Sequence, residues 1–311
     1  MTKSPYQDTD LQDIPQAPSP IMQTIRMLWN DKFAFVSVIF LSFVLLCAIF
    51  GPFLLEDIAT KQNLRGRNAP PFDFSRDWQF WLGGDALGRP LLARIFVAAQ
   101  NTISVAAGAV FFSMIIGTTL GLIAGYSSNT VSQIILRLAD IIMSFPSLLL
   151  AVIVLFMLES SVFNLVIVLA ITRIPVYLRT ARAETMEVRE RMFVQAAKVM
   201  GASTRRIVFR HILPVVFPTL ITIATLDFAF VMLAESALSF LGIGIQPPEI
   251  TWGLMVSQGR PYLTTAWGLS LWPGLAIILT TLSLNLVSNW MRTALDPAQR
   301  WRLENVSKKN G

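Results

Sequence analysis

Six apolar runs, each close to the length that crosses a lipid bilayer, constrain this chain more than any other feature of its sequence. A helix needs about 20 predominantly apolar residues to span the hydrocarbon core. The third and fourth runs are separated only by Glu159, Ser160 and Ser161, so they must form a tight hairpin. The sequence therefore predicts an all-α membrane protein with six transmembrane helices. The runs cover residues 33–55, 103–125, 139–158, 162–178, 215–241 and 266–287.

Composition supports this class and excludes others. Hydrophobic residues make up 54% of the chain and charged residues 14%, whereas about a quarter of the residues in a globular protein are charged. The net charge of +6 flanks apolar runs and forms no basic stripe with interleaved aromatics, so no nucleic-acid partner is expected. With Cys47 and His211 as its only cysteine and histidine, the chain is expected to hold no disulfide framework and no Cys/His metal site. The first run lacks a small-residue cleavage site and is interpreted as a retained anchor.

The distribution of Lys and Arg predicts the orientation, because basic residues are retained on the cytoplasmic side of a membrane. An even number of spans places both ends of the chain on the same side. Of the 25 Lys and Arg residues, 17 lie in the two ends and in the connections on that side, and 7 lie in the opposite connections. Both termini are therefore predicted to be cytoplasmic. The long outer connection, 56–101, holds six of the seven exceptions and is interpreted as an ordered external segment.

The fourth connection carries the clearest local signals. From 180 to 200, acidic and basic residues alternate at helical spacing beside an apolar side, which predicts one amphipathic helix. Gly201 should end this helix, because glycine readily adopts the left-handed conformation that closes a helix. Ser203 is a suitable N-cap for a second helical piece, and Pro214 opens the fifth run. These properties are equally compatible with a solvated linker and with a docking surface for another protein.

The same connection carries a resemblance to a known family. Gln195-Ala196-Ala197, Gly201 and Leu213-Pro214 resemble the EAA loop of permease subunits of ATP-binding-cassette importers, which keeps this spacing. Gln195 replaces the usual Glu, and His211 stands where many of these importers have Ile. A histidine there is common in the branch that transports dipeptides, oligopeptides and nickel. His211 is expected to be a structural or interface residue and not a catalytic one.

Four further segments resemble the second type of permease in this branch. The external one, 82–89, departs from the usual pattern where Pro90 replaces Asp and Ala93 replaces Ser. Together with the EAA-like loop they make five matches in the right order and on the predicted sides of the membrane, which is specific evidence for this resemblance. The four segments are Leu82 to Arg89; Arg137-Leu138-Ala139-Asp140 with Phe145 to Ala151; Glu235 to Gly244 with Gln246-Pro247-Pro248 and Trp252-Gly253; and Leu295-Asp296-Pro297.

The resemblance implies a type I importer permease fold in a bacterial inner membrane. It also implies a second homologous permease subunit, two ATP-binding subunits and a periplasmic or lipid-anchored solute-binding protein. The chain contains no Gly-x-x-x-x-Gly-Lys-Ser/Thr loop, so ATP and Mg²⁺ are expected in partner subunits and no catalytic residue is expected here. The implied divisions are a cytoplasmic segment 1–32, a first helix with its periplasmic connection 33–102, a five-helix core 103–292 containing the coupling loop 179–212, and a cytoplasmic tail 293–311. Contact with the ATPase is implied for Gln195, Ala196, Ala197, Lys198, Gly201, Ala202, Ser203 and Arg206.

Three ionisable residues lie inside predicted spans: Arg173, Asp227 and Glu235. Charges at this depth are costly, so each is a candidate for the translocation path with a partner to be found. Asp227 and Glu235 are about two helical turns apart, and Arg173 could pair with either. A structural role is favoured for Glu235, and Asp227 is left open between the two roles. Asp140, three residues from Arg137, is expected to make a local contact at a helix end.

Two other classes of protein remain as alternatives. One is a secondary transporter driven by an ion gradient, with Asp227 or Glu235 carrying a proton, although the inverted repeats frequent in such carriers are not evident. The other is a membrane scaffold or assembly factor, which would need no polar path. For an importer subunit, peptides, nickel and other small solutes all remain open as cargo.

Overall fold

The computed structural model describes residues 20–295, and regular structure in this part of the chain is helical. No strand is present in the described residues apart from an isolated β-bridge between Gly84 and Pro90. The predicted all-α class is therefore confirmed. The helices are α1 (Pro20–Asn30), α2 (Lys32–Thr60), α3 (Leu91–Tyr126), α4 (Asn129–Met143), α5 (Ser147–Met157), α6 (Val162–Val188), α7 (Met192–Val199), α8 (Thr204–Ile207), α9 (Leu213–Phe240), α10 (Trp252–Gly259) and α11 (Gly268–Leu295), with a π-helical turn at Val208–Ile212.

Five of the six predicted spans correspond to continuous helices, although the fifth run ends one residue after Phe240 and the sixth begins two residues before Gly268. The segments long and apolar enough to cross a membrane are α2, α3, α6, α11 and the continuous helical run Thr204–Phe240, which contains α9. Some extend well beyond the predicted runs: α3 begins at Leu91, twelve residues before the second run, and α6 continues past the fourth run to Val188. The predicted boundaries therefore underestimate the helices, because helices continue past the apolar stretch into polar residues.

The third predicted span, 139–158, is wrong as a single helix. It corresponds to α4 and α5, which meet at an angle of 81°, and counting this pair as one broken span gives the predicted total of six. The break falls at Ser144, Phe145 and Pro146. A proline disfavours helical conformation in the residue before it, and α5 with 11 residues is too short to cross a bilayer alone.

The core forms where α3 packs against α6. Three glycines of α3, at spacings of four residues, face α6: a Cβ atom placed on Gly117 or Gly121 would lie 2.6 Å from the Cβ atoms of Tyr177 and Ala181, respectively. Gly125 continues this row toward the end of α3. Small residues allow the two helix backbones to approach closely. The van der Waals contacts made at this distance help to hold helices together in lipid. This row fixes the position of α6 and hence of the connection that follows it.

The connection predicted to be external is shorter than expected, because helices α2 and α3 extend into it. Its described backbone consists of turns and two short 3-10 segments, Leu64–Gly66 and Trp78–Phe80. Asp85 is 4% exposed and accepts hydrogen bonds from the backbone N–H groups of Leu87 (2.9 Å) and Arg89 (2.8 Å). A buried carboxylate therefore organises the turn that leads into α3.

The predicted amphipathic helix from 180 to 200 is also wrong as one element. Helix α6 ends at Val188, a turn follows, and α7 begins at Met192. Val188 is fully buried and Val194 is 2% exposed, both in one apolar cluster. On a continuous helix these two side chains would point in directions roughly 120° apart. The break allows both to reach the same core.

Candidate functional site

The surface formed by residues 192–206, here called the loop surface, is held by a complete set of local hydrogen bonds. Gly201 has φ of +82°, as expected for the residue that ends α7. Its N–H donates to the carbonyl of Lys198, and the N–H of Ala202 donates to that of Ala197, both at 3.0 Å. These two bonds form a Schellman motif, which satisfies carbonyl groups at a helix end. Ser203 then caps α8, its Oγ accepting from the N–H of Arg206 at 3.4 Å.

One side of the loop surface is fixed to the protein interior. Val194 and Ile207 are 2% and 1% exposed and belong to the cluster that also contains Ile212 and Val216, and Ala197 is 4% exposed. Ala197, for which a contact with the ATPase was implied, is therefore directed inward and supports the loop. Arg189 adds a polar attachment by donating from Nη1 to the carbonyl of Gly125 at 2.8 Å. The loop is thus packed against α3, α6 and α9.

The opposite side of the loop surface is open and strongly apolar. Met192 and Val199 are each 89% exposed and Met200 is 81% exposed. These three residues are not among the contact residues implied by the sequence, although Val199 and Met200 directly precede the Gly201 turn. Lys198 and Arg206 are also exposed and surround this patch with positive charge. An exposed apolar patch rimmed by polar residues is typical of a site that contacts another protein or the membrane.

The remaining predicted contact residues divide between exposed and supporting positions. Gln195 is exposed, yet its Nε2 donates to the carbonyl of Arg189 at 3.0 Å and so ties α7 to the preceding turn. Ala196, Gly201 and Ser203 are exposed, and Ala202 is half-buried. A Cβ atom placed on Gly201 would have no heavy atom within 4 Å. This space is open to an approaching partner.

Of the three ionisable residues within spans, two form a pair. Arg173 of α6 contacts Asp227 of α9 through Nη2 and Oδ1, and through Nε and Oδ2 at 3.3 Å. The guanidinium carbon of Arg173 also lies 4.4 Å from the centroid of the Phe230 ring. Asp227 is 4% exposed. The two charges therefore neutralise each other between adjacent helices.

Glu235 lies in a separate environment. It is fully buried and accepts hydrogen bonds from the Oγ atoms of Ser239 (2.7 Å) and Ser236 (3.3 Å). No cation forms a salt bridge with Glu235 in the described part of the chain. Of the two acidic residues considered as partners of Arg173, Asp227 is the one that pairs with it. The local contact expected for Asp140 is wrong, because Asp140 pairs instead with Arg179 of α6.

A cavity of about 220 Å³ lies where the broken helix meets Arg173. It is lined by residues from both sides of the α4–α5 break, including Met143 and Ser147, and by Arg173 with its neighbours in α6. Non-helical backbone at membrane depth is stable only where protein buries it or where it lines a cavity. The break and Arg173 thus border the same cavity. No group of three or more metal-binding side chains occurs among residues 20–295.

Comparison with known proteins identifies the family. Residues 117–301 match the family described as "Binding-protein-dependent transport system inner membrane component", and residues 19–71 match the "N-terminal TM domain of oligopeptide transport permease C". The chain belongs to the binding-protein-dependent inner-membrane permease family. The permease is therefore a multi-pass transport subunit of an ATP-binding-cassette importer, and this membership favours the importer over the secondary transporter considered as an alternative.

Individual relatives cover nearly the whole permease. It is 37% identical over 286 residues to the di/tripeptide transport system permease protein DppC of Pseudomonas aeruginosa, covering 90% of this chain and 93% of the relative. It is 37% identical to the dipeptide permease DppC of Alkalihalophilus pseudofirmus, covering 91% and 92%. It is 39% identical over 217 residues to the glutathione permease GsiD of Pectobacterium atrosepticum, covering 70% and 72%.

A solved structure supports the fold. The permease superposes on a chain of the MetNI methionine ABC transporter in an inward-facing conformation with a TM-score of 0.53, covering 70% of this chain and 99% of that chain. At 15% sequence identity this likeness concerns the fold alone. It establishes the type I importer permease fold that the sequence resemblance implied.

Proposed function

We propose that this chain forms half of the translocation path of an importer for short peptides or peptide-like solutes. Relatives that align over most of the chain are named for di- and tripeptides, dipeptides and glutathione, all of which contain peptide bonds. Nickel, the other cargo of the branch, is named by none of these relatives. A separate solute-binding protein delivers the cargo at the outer face.

The open loop surface is the observation that carries the proposed coupling of this chain to an ATP-driven importer. Its exposed apolar patch around Met200 is fixed to α3, α6 and α9 from behind, so a partner that pushes on it moves the helices of the path. Two ATP-binding subunits are the proposed partners, one for each permease. They bind the ATP and Mg²⁺, and this chain acts as a lever with no hydrolytic site of its own.

The region of the α4–α5 break is the proposed wall of the path. Several apolar residues of this bent pair are largely exposed, among them Ile141 at 60%, Phe145 at 53% and Leu149 at 51%. A second homologous permease subunit is proposed to cover this face and to enclose the cavity beside Arg173. In this arrangement Arg173 and Asp227 stand at the edge of the path, and Glu235 is a structural residue of α9.

The lever is tested by exchanging Gly201 for valine. Gly201→Val is expected to abolish ATPase association and peptide uptake, because a β-branched residue resists positive φ and projects a side chain into the docking space. Gly242→Val is the matched control and should retain ATPase association, since Gly242 also has positive φ (+80°), ends a helix and leaves an added Cβ atom with no heavy atom within 4 Å. Copurification and uptake assays measure both effects. Normal uptake by Gly201→Val would contradict the proposed lever.

The orientation is tested with single cysteines in a Cys47→Ala background. Leu64→Cys lies in the outer connection and Val199→Cys in the loop surface, at positions that are 78% and 89% exposed. We expect an impermeant thiol reagent to label the first in intact cells, and the second only after the membrane is opened and the ATPase subunits that cover Val199 are removed. Labelling of Val199→Cys from outside would show that the predicted orientation is wrong and would exclude the docking role.

A further inference from the structure

A cavity of about 330 Å³ lies at the outer end of the molecule, away from the loop surface and the α4–α5 break. The turn at Asp85 and Arg89, the first turn of α3 with Arg94, and α10 with Gln258 line it, and Tyr262 closes one side. Its volume is near the lower end of the range for small-molecule sites, which is roughly 300–1,000 Å³. A compact ligand would fill it.

The charged groups of this cavity do not balance. Asp85 Oδ2 accepts from the Nε of Arg89 at 2.7 Å and from Nη1 of Arg94. Its other oxygen is occupied by the two backbone N–H groups of the turn. One carboxylate, both of whose oxygens already accept hydrogen bonds, therefore faces two guanidinium groups. No other acidic residue lines the cavity. The site carries a net charge of +1.

Hydrogen-bond donors remain available around this excess charge. Both terminal nitrogens of Arg89 lack a hydrogen-bond partner in the part of the chain that the structure describes, and its side chain is 20% exposed at the opening. Arg94 is 2% exposed; its Nη2 donates to Oε1 of Gln258 at 3.2 Å, and its buried Nε has no partner among residues 20–295. A planar guanidinium fork matches the geometry of a carboxylate.

We propose that this cavity binds the carboxylate of a small monocarboxylic acid, with Arg89 as the main contact. A single negative charge balances the net +1, whereas a doubly charged phosphate would overcompensate it. The apolar side chains of Leu87, Met255 and Leu269 suit the organic part of such a ligand. The site is distinct from the proposed path and does not depend on the cargo class.

Saturation-transfer difference NMR on the permease, purified in nanodiscs with the subunits that accompany it, tests this site directly. The probe is N-acetylalanine, and N-acetylalaninamide is its neutral counterpart of nearly equal shape. We expect clear saturation transfer to the acid and a signal about tenfold weaker for the amide, since the amide lacks the charge-assisted hydrogen bonds. Equal signals from the two probes overturn the proposal.

Variants separate this site from non-specific binding. Arg89→Gln is expected to reduce the acid signal to that of the amide, and Arg89→Lys to retain part of it. Arg65→Gln, an exposed arginine of the same connection, should leave the signal unchanged. Gel filtration of each variant complex confirms assembly. An acid signal that survives Arg89→Gln contradicts the proposal.

The same variants distinguish a free acid from an acidic side chain of the binding protein. If wild type shows no signal for N-acetylalanine, and Arg89→Gln weakens association with the solute-binding protein, the cavity is a docking socket and the small-ligand proposal is wrong. Because the assay measures binding and not uptake, failure of the proposed transport function does not change its result.

Discussion

Exchanging Val199 and Met200 for Asn and Gln is expected to release the ATPase subunits from this permease. Both side chains are more than 80% exposed, so the exchange leaves the folded chain nearly unchanged. Burying an apolar side chain of this size contributes about 1.5–3 kcal/mol. Losing both contacts should weaken association by at least about 100-fold, since each 1.4 kcal/mol is a factor of about ten. Uptake should be lost while membrane insertion persists.

Conservative exchanges at the same positions provide the control. Val199→Ile and Met200→Leu keep the apolar surface and should retain copurified ATPase and uptake. Quantifying ATPase subunits per permease after affinity purification measures both pairs. Full ATPase association in the polar variant would show that the exposed patch is not the docking surface, even if other residues of the loop are.

Neutralising Asp227 alone is expected to destabilise the permease. Asp227→Asn leaves the guanidinium of Arg173 without its partner between two helices. Breaking a buried pair by removing one partner costs about 3–5 kcal/mol because an uncompensated charge stays buried. The yield of assembled complex should therefore fall strongly. In the double variant with Arg173→Gln no isolated charge remains, and the yield should recover.

Uptake by the double variant then separates a structural pair from a path residue. Recovered yield with altered uptake places the pair at the path, whereas recovered yield with normal uptake assigns it to structure alone. Glu235→Gln is the control, because Glu235 forms no salt bridge in the described residues and its serine partners also hydrogen-bond to an amide. A normal yield for Asp227→Asn would show that the ion pair does not stabilise the permease.

Local sequence was sufficient for five of the six spans and for the turn that ends α7. An apolar run of bilayer length favours a helix in lipid, because a helix satisfies all its backbone hydrogen bonds internally. In the same way, the turn at Gly201 and the cap at Ser203 depend only on residues within a few positions. The basic residues of 1–19 and 296–311, and the element that ends at Pro297, lie outside the described residues and remain predictions.

Tertiary contacts decided where the helices break and which charges meet. The break before Met192 arises because Val188 and Val194 must enter one cluster, and nothing within the local helical pattern signals that requirement. Similarly, both Asp227 and Glu235 were possible partners for Arg173 by spacing along α9. The choice followed from the packing of α6 against α3 and α9.

The sequence by itself thus determined an all-α membrane protein, its number of spans and a helix end at Gly201, because these depend on hydrophobicity and short-range backbone geometry. Only the tertiary structure showed the bend before Ser147, the burial of Ala197 and the cavity at Arg89. Each of these unites residues from separate helices or connections. Their positions depend on close packing, which a pattern along one helix does not specify.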